Sequence, residues 1–356
     1  MHSIGIIGFG AIAEKGHLPA LQSFAEIEVT AVADLSEDRR EVCRRLLPNA
    51  AIFEDSSDLI ATADISGIDI CTPPTTHADI IEAACRRGLS PIICEKPFVL
   101  MEEEYVRVAR ARDLSDSRII SVNNWMYSHL HRRVREVLDA GRIGKVKRIE
   151  LRTGRPDAAK GIAGWQPRWR TDVSHSGGGV ILDHGWHQLY LLMSWLEQWP
   201  ESVACVARTV DARHALAEDE ATLDLFFPGA EGRIELSWTS ETRNNGGLIE
   251  GTRGNVEIHD DRITVSSPEG VRDLKLNDRL TLASYHPEWF QSMLKASIIR
   301  PDSAESDRNF AEAGVLVATI RAAYRSAGLG GVRLPIETVA QHTASPAVRE
   351  RFARCL

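Results

Sequence analysis

The chain has 356 residues, 43% hydrophobic and 26% charged, with a formal net charge of −8. That length suffices for two ordinary domains with cores of their own, and an acidic balance with no basic stripe speaks against nucleic acid and anionic membranes as partners. No apolar run approaches bilayer-spanning length, the chain opens as a strand with no charged leader, and its six scattered cysteines form no C-x-x-C pair, so a cytoplasmic protein is expected.

Ile4 to Ile7 is a short apolar run that leads straight into Gly8-Phe9-Gly10-Ala11-Ile12-Ala13. This is G-x-G-x-x-A at a strand exit and helix start. The first glycine turns the chain, the second lets backbone approach a pyrophosphate, and the small last residue lets helix and strand pack closely. The helix start then offers free N–H groups to the phosphates. Further apolar runs follow at Val29–Ala33, Gly67–Cys71, Ile92–Cys94 and Ile119–Val122, with helical patterns between them such as 78–87 and 102–112. This alternation predicts a doubly wound parallel sheet, with ligands beyond the carboxyl ends of its strands.

Asp34 ends the second run, 21 residues after Ala13. A carboxylate there accepts hydrogen bonds from an adenosine ribose and repels a 2′-phosphate, which favours NAD. Arg39 and Arg40 on the next helix keep NADP possible. Thr72-Pro73-Pro74 with His77, and Glu95-Lys96-Pro97, leave the next two strand ends. Lys96 is either a positioned cation and proton donor or a solvated loop lysine, and Asn124 and Trp125 stand at the following strand end.

After about residue 144 the pattern changes. Lys147–Arg152 reads as a strand, a polar stretch with Trp165, Trp169, Arg170 and His175 follows, and Gly177-Gly178-Gly179 opens a helix running to about Trp195. Aromatic rings beside an arginine suit a sugar face and its hydroxyls, or else core packing. Asp183 and His187, four apart in the helical stretch, are expected on one face as a proton-transfer pair, with His184 a decoy beside them. Adjacent helix positions face different sides, so no metal site is expected there. Strand-like segments at 202–210, 221–227, 232–239, 248–251, 255–259 and 263–265, without helices between them, imply an antiparallel sheet. Helical stretches near 286–297 and 307–326 follow.

With these residues in place the chain resembles the glucose–fructose oxidoreductase / inositol dehydrogenase family (Gfo/Idh/MocA), over nearly its whole length to about residue 335. The resemblance rests on Gly8-Phe9-Gly10, Thr72-Pro73-Pro74 with His77, Glu95-Lys96-Pro97, Trp169-Arg170, Gly177-Gly178-Gly179 with Asp183-His184-Gly185-Trp186-His187, Gly251-Thr252-Arg253-Gly254 and Tyr324-Arg325-Ser326-Ala327. It implies a dinucleotide-binding Rossmann domain (residues 1–123), a substrate-binding and oligomerisation α+β domain with an open, mostly antiparallel sheet (124–335), a tail (336–356) and a homodimer or homotetramer. The family's lysine, aspartate and histidine fall on Lys96, Asp183 and His187. Asn124-Trp125 replaces an Arg-aromatic pair common in the family, and Tyr190 replaces an acidic or amide residue.

The expected function is hydride transfer between NAD(P) and a secondary hydroxyl or ketone of a sugar, sugar derivative or cyclitol. His187 would take the hydroxyl proton, Lys96 would hold the oxygen, and Asp183 would bind substrate and bias His187. Gly8, Phe9, Gly10, Ala11, Ile12, Ala13, Asp34, Thr72, Pro73, Pro74, His77, Glu95 and Lys96 are the expected cofactor contacts. Asn124, Trp125, Trp165, Arg170, Asp183, His187 and Lys96 are the expected substrate contacts. The resemblance also permits an NAD-retaining glycosidase that works by transient oxidation, and a cofactor-binding regulator without catalysis.

Overall fold

The five apolar runs and one further short segment become six parallel strands in a computed structural model that describes residues 1–162, 165–214, 216–277, 279–281 and 285–337. They are β1 (His2–Ile7), β2 (Ile27–Ala33), β3 (Ala51–Phe53), β4 (Gly67–Ile70), β5 (Ile92–Cys94) and β6 (Ile119–Ser121), in the order β3-β2-β1-β4-β5-β6. Ile4, Ile6, Ile68, Ile70, Ile92, Ile93 and Ile119 are all fully buried, as strands covered on both faces require. The strand order reverses between β1 and β4, so the chain leaves these two on opposite sides of a crevice. The short edge strand β3 has no apolar run of its own, and its residues are only partly buried or exposed.

The second sheet has nine strands: β7 (Val146–Gly154), β8 (Ser202–Arg208), β9 (Glu220–Phe227), β10 (Ala230–Ser237), β11 (Asn244–Gly251), β12 (Asn255–Ile258), β13 (Arg262–Ser267), β14 (Gly270–Lys275) and β15 (Leu334–Pro335). Their order is β14-β13-β12-β11-β7-β10-β9-β8-β15, antiparallel except where β7 meets β10. In β9, Ala221, Leu223, Leu225 and Phe227 are buried on one face while Glu220, Thr222 and Asp224 point outward. The outer face carries opposite charges in register, with Arg152 to Glu235 at 2.8 Å and Arg233 to Asp224 at 2.8 Å.

The two sheets share packing. The helix Ser303–Gly328 lies against both β6 and β8, and Asn309 exchanges hydrogen bonds of 2.8 and 3.0 Å with the backbone of Ser121. Phe290, Met293 and Leu294 from the helix Pro287–Leu294 join Ile4, Ile6, Phe9 and Leu18 in one apolar cluster. A cut at residue 123 therefore separates the strands of the two sheets but not their packing. The tail beyond residue 337, with Cys355, lies outside the described residues.

The expected single helix after Gly177-Gly178-Gly179 is broken into a π-turn, Ile181–Gly185, and the helix Trp186–Leu196. Glu218 holds the start of the π-turn, accepting from the N–H groups of Gly179 (2.8 Å) and Ile181 (3.1 Å) while Tyr324 donates to it (2.7 Å). A Cβ on Gly179 would overlap the Glu218 backbone. Gly179→Ala should therefore lower unfolding free energy by about 2–3 kcal/mol, as backbone overpacking does; a urea midpoint equal to wild type would contradict this contact.

Candidate active site

The crevice between β1 and β4 opens into a cleft of about 780 Å³ that runs from the glycine turn to the second sheet. Gly8 has φ +84°, and a Cβ there would meet the backbone of Cys71 and Thr72 at 2.9 Å. A Cβ on Gly10 would meet nothing within 4 Å, because the position faces the open cleft at the start of a helix. A pyrophosphate needs that combination of a tight turn, an uncovered backbone and free helix N–H groups, so these residues fit a dinucleotide.

At the end of β2, the Asp34 carboxylate accepts from the Phe9 N–H (2.6 Å) and the Ser36 N–H (2.8 Å), tying the glycine turn to the next loop while still lining the cleft. Both neighbouring arginines are engaged inside the protein. Arg39 donates to the Phe9 carbonyl and pairs with Glu14, and Arg40 donates to the carbonyls of Asp34 and Leu35 and pairs with Glu37. Such pairing disfavours a 2′-phosphate.

Gly8, Gly10, Ala11, Ile12, Asp34, Thr72, Pro73, Pro74, Glu95, Lys96, Asn124, Trp125, Trp165, Arg170, Asp183 and His187 all line this one cleft. Three expected contacts do not. Phe9 and Ala13 are fully buried in the core beneath the turn. His77 is also fully buried, with Nδ1 against the carbonyls of Pro97 and Phe98 and Nε2 against that of Thr72. It joins two cleft loops from behind, and burial pushes its imidazole below its ordinary value.

Beneath the cleft floor, His17 lies between two carboxylates, with Nδ1 2.7 Å from Asp69 and Nε2 3.0 Å from Glu95. Burial alone would depress its imidazole, but Asp69 holds it well above the ordinary histidine value. Burial likewise pushes Glu95 up, and the His17 bond more than offsets this. Asp69, His17 and Cys71 bring ligand-type atoms within 4.8 Å of one another, but both His17 nitrogens already face carboxylates.

Lys96 follows Glu95 and precedes a cis Lys96–Pro97 peptide. Its Nζ donates to the Asp183 carbonyl (2.7 Å) and to Asp183 Oδ1 (3.0 Å). Burial opposes ionisation of Asp183, but Lys96, with Arg170 at 3.6 Å, holds the carboxyl well below the usual range. Asp183 Oδ2 is buried with no hydrogen-bond partner among the described residues. Asp183 and His187 share the cleft, and the Asp183 charge acts on the imidazole, but no hydrogen bond joins the two among the described residues. The π-turn changes the stacking of positions 183 and 187, and the partner of His187 Nδ1 is the Tyr190 hydroxyl, at 2.8 Å. That hydroxyl also accepts the Trp125 N–H at 3.1 Å. Burial, and next the charge of Lys96, push His187 well below its ordinary value.

His184, set aside as a decoy, lines the cleft 3.5 Å from Asp183 Oδ2, and burial lowers it to about 3. Trp169 lines the cleft and stacks on the Arg170 guanidinium, 4.4 Å from the ring centre. His175 stands edge-on to Trp165, bonded to Asp172, outside the lining. Arg155, which follows β7, also lines the cleft and was not anticipated. Applying the strand-end rule to the second sheet as well as the first would have found it.

Two family models match the chain: an oxidoreductase family with an NAD-binding Rossmann fold over residues 2–123, and the GFO/IDH/MocA C-terminal domain over residues 131–257. The chain belongs to the Gfo/Idh/MocA family. It is an oxidoreductase with an NAD-binding Rossmann fold. An inositol 2-dehydrogenase of Rhizobium meliloti is 28% identical over 77% of this chain and 81% of its own length. A dTDP-3,4-didehydro-2,6-dideoxy-alpha-D-glucose 3-reductase of Actinomadura kijaniata is 29% identical over 62% of this chain, which spans 64% of that relative. The fold is shared with an Agrobacterium radiobacter oxidoreductase solved in complex with NAD+, L-tartaric acid and magnesium, at a TM-score of 0.77 and 20% identity, over 94% of this chain and 98% of that one.

In this Gfo/Idh/MocA chain the open position of Gly10 separates binding from folding. Gly10→Ala adds a methyl where no protein atom stands, so stability should change by less than about 0.5 kcal/mol. Because the methyl enters the cleft, NADH affinity, read by fluorescence titration, should fall about tenfold or more. Unchanged affinity would remove the glycine turn from the dinucleotide site.

Proposed function

We propose that the protein oxidises a secondary hydroxyl of a sugar, sugar derivative or cyclitol, or reduces the matching ketone, with NAD preferred over NADP. The observation that carries this reading is the Lys96–Asp183 pair beside His187, in the cleft that also holds the glycine turn. Nicotinamide, when bound, supplies hydride exchange at the hydroxyl carbon. The chain's own residues handle the oxygen and its proton.

Two of the three Lys96 N–H groups go to Asp183, which leaves the third for the substrate oxygen. As an ammonium Lys96 gives that proton to a ketone oxygen, and as an amine it takes it back from the alcohol. For His187 the Tyr190 contacts favour a different role from the expected base. The Tyr190 oxygen accepts from Trp125, and the acceptor at hand for its own hydrogen is His187 Nδ1. The neutral ring then carries its hydrogen on Nε2 and steadies charge on the substrate oxygen as a donor. The free Asp183 Oδ2 suits a neighbouring substrate hydroxyl, and Trp165, Trp169, Arg170, Asn124 and Trp125 supply the surface for a polyol.

We further infer that residues 1–123 bind dinucleotide and 124–335 bind substrate and a second subunit. The charge-paired outer face of the nine-stranded sheet is compatible with isologous contact in a homodimer or homotetramer. The five cysteines among the described residues are free and four of them are buried, which fits a reducing cytoplasm. Sedimentation at low and high salt should show the oligomer weakening as salt rises; a monomer at every salt concentration refutes it.

A panel of sugars, sugar derivatives and cyclitols with NAD and NADP, read by absorbance of the reduced cofactor, tests the activity. Glycoside cleavage without reduced cofactor would turn the reading towards a glycosidase. Lys96→Ala should cut turnover about 10²-fold or more while NADH still binds. Because His187 stays neutral as pH falls through the ordinary histidine range, the kcat/KM profile should show no inflection near about 6.5. An inflection there that vanishes in His187→Asn would return the proton to His187.

A further inference from the structure

The substrate end of the cleft holds more positive charge than a neutral polyol calls for. Lys96, Arg155, Lys160, Arg170 and Arg243 line it, against Glu95, Asp157 and Asp183, and Glu95 is engaged by His17 at 3.0 Å. Asp183 is engaged by Lys96 at 3.0 Å and Arg170 at 3.6 Å. Asp157 turns to His214 at 2.9 Å and Arg213 at 3.8 Å. None of these carboxylates lies within ion-pair distance of Arg155.

Arg155 decides the matter. It is only 6% exposed, yet its guanidinium forms no ion pair among the described residues. Its Nη1 donates to the carbonyls of Gly154 (2.7 Å) and Asn244 (2.8 Å), and its Nη2 donates to Oδ1 of Asn245 (3.0 Å). Asn245 is held in turn by a 2.8 Å bond to the Leu280 carbonyl. Those contacts fix the plane of the group and leave the Nε–H and one Nη2–H without a protein partner among the described residues. Burial, reinforced by the charge of Arg243, pushes Arg155 down to about 10. The Asp183 charge offsets this only in part, and a buried cation with no direct ion pair is costly to the fold. A rigid guanidinium with donors to spare is the group that takes a carboxylate in two parallel bonds. Arg155 also lies close enough to the reacting end for its charge to bear on His184 and His187.

We propose that the substrate is a sugar acid whose carboxylate seats on the free donors of Arg155 while its secondary hydroxyl meets Lys96 and His187. This rests on the dehydrogenase reading above and narrows it. The carboxylate is unchanged in the reaction: hydroxy acid and NAD+ give oxo acid, NADH and a proton. Arg155 is then the residue that separates acids from their neutral counterparts.

Matched pairs test it with wild-type protein: glucuronate against glucose, galacturonate against galactose, gluconate against sorbitol, with myo-inositol as the neutral cyclitol. Turnover is followed by NADH absorbance, and binding of each compound to the NADH-loaded protein by calorimetry. At least one acid should exceed its neutral partner about 10²-fold in kcat/KM, the worth of a charged hydrogen-bonded contact. In Arg155→Met that preference should disappear, and in Arg155→Lys it should return in part, with NADH titration confirming that each variant is folded. If a variant fails to fold, the wild-type pairs decide alone. Neutral compounds turned over as well as the acids, or sugar phosphates preferred to both, would overturn the proposal while leaving a dehydrogenase. Acids that bind without reducing NAD would uphold the carboxylate site and sink the dehydrogenase reading. Acids that neither bind nor react would overturn the proposal outright.

Discussion

A line of alternating charges runs from the core of the first sheet to the loops of the second, and the site depends on it. Asp69, His17, Glu95, Lys96, Asp183 and Arg170 follow one another as anion and cation, each close to the next. Any one of these groups buried alone would be expensive to hold ionised. Along this line each has a charge of opposite sign beside it in space, so removing a middle member strands two neighbours. The line also crosses between the two sheets, since Lys96 leaves β5 and Asp183 belongs to the π-turn packed under β10.

Apolar packing supplies the frame that keeps this line straight. The helix Ser303–Gly328 braces β6 and β8 at once, and residues from the helix Pro287–Leu294 close the cluster beneath the glycine turn. His77 and Glu218 do comparable work with hydrogen bonds, each pinning two loops from a buried position. The side chains that face the cleft therefore stand on supports drawn from distant parts of the chain.

Much of this was legible in the sequence because it follows from local rules. A fully buried parallel strand must be apolar throughout, so β1, β2, β4, β5 and β6 announced themselves. G-x-G-x-x-A and the strand-end positions of Asp34 and Lys96 follow from chain geometry. What stayed hidden was set by tertiary partners. The strand-like segment at 248–251 starts four residues earlier in the fold, because pairing with β7 draws Asn244 to Gly247 into β11. β14 has no buried residue to signal it. The π-turn left no mark in the hydrophobic pattern, and nothing in the spacing told that the hydrogen bond to His187 Nδ1 comes from Tyr190 while Asp183 acts on the ring by charge alone. Tyr190 stood out as a departure from the family pattern, but only the fold revealed that its hydroxyl meets the imidazole.

The widened turn at 181–185 reaches beyond its own local geometry. Regular helix ladders use up every interior carbonyl, whereas here the Asp183 carbonyl receives the Lys96 ammonium at 2.7 Å. The lysine thus grips main chain as well as side chain. Deleting one residue from this stretch to restore an ordinary helix would swing everything upstream of Trp186 by about 100° around the axis and withdraw both grips together. An irregularity of this kind cannot be smoothed out stepwise by descent, and it ties the length of one segment to the chemistry of another almost ninety positions away in the chain.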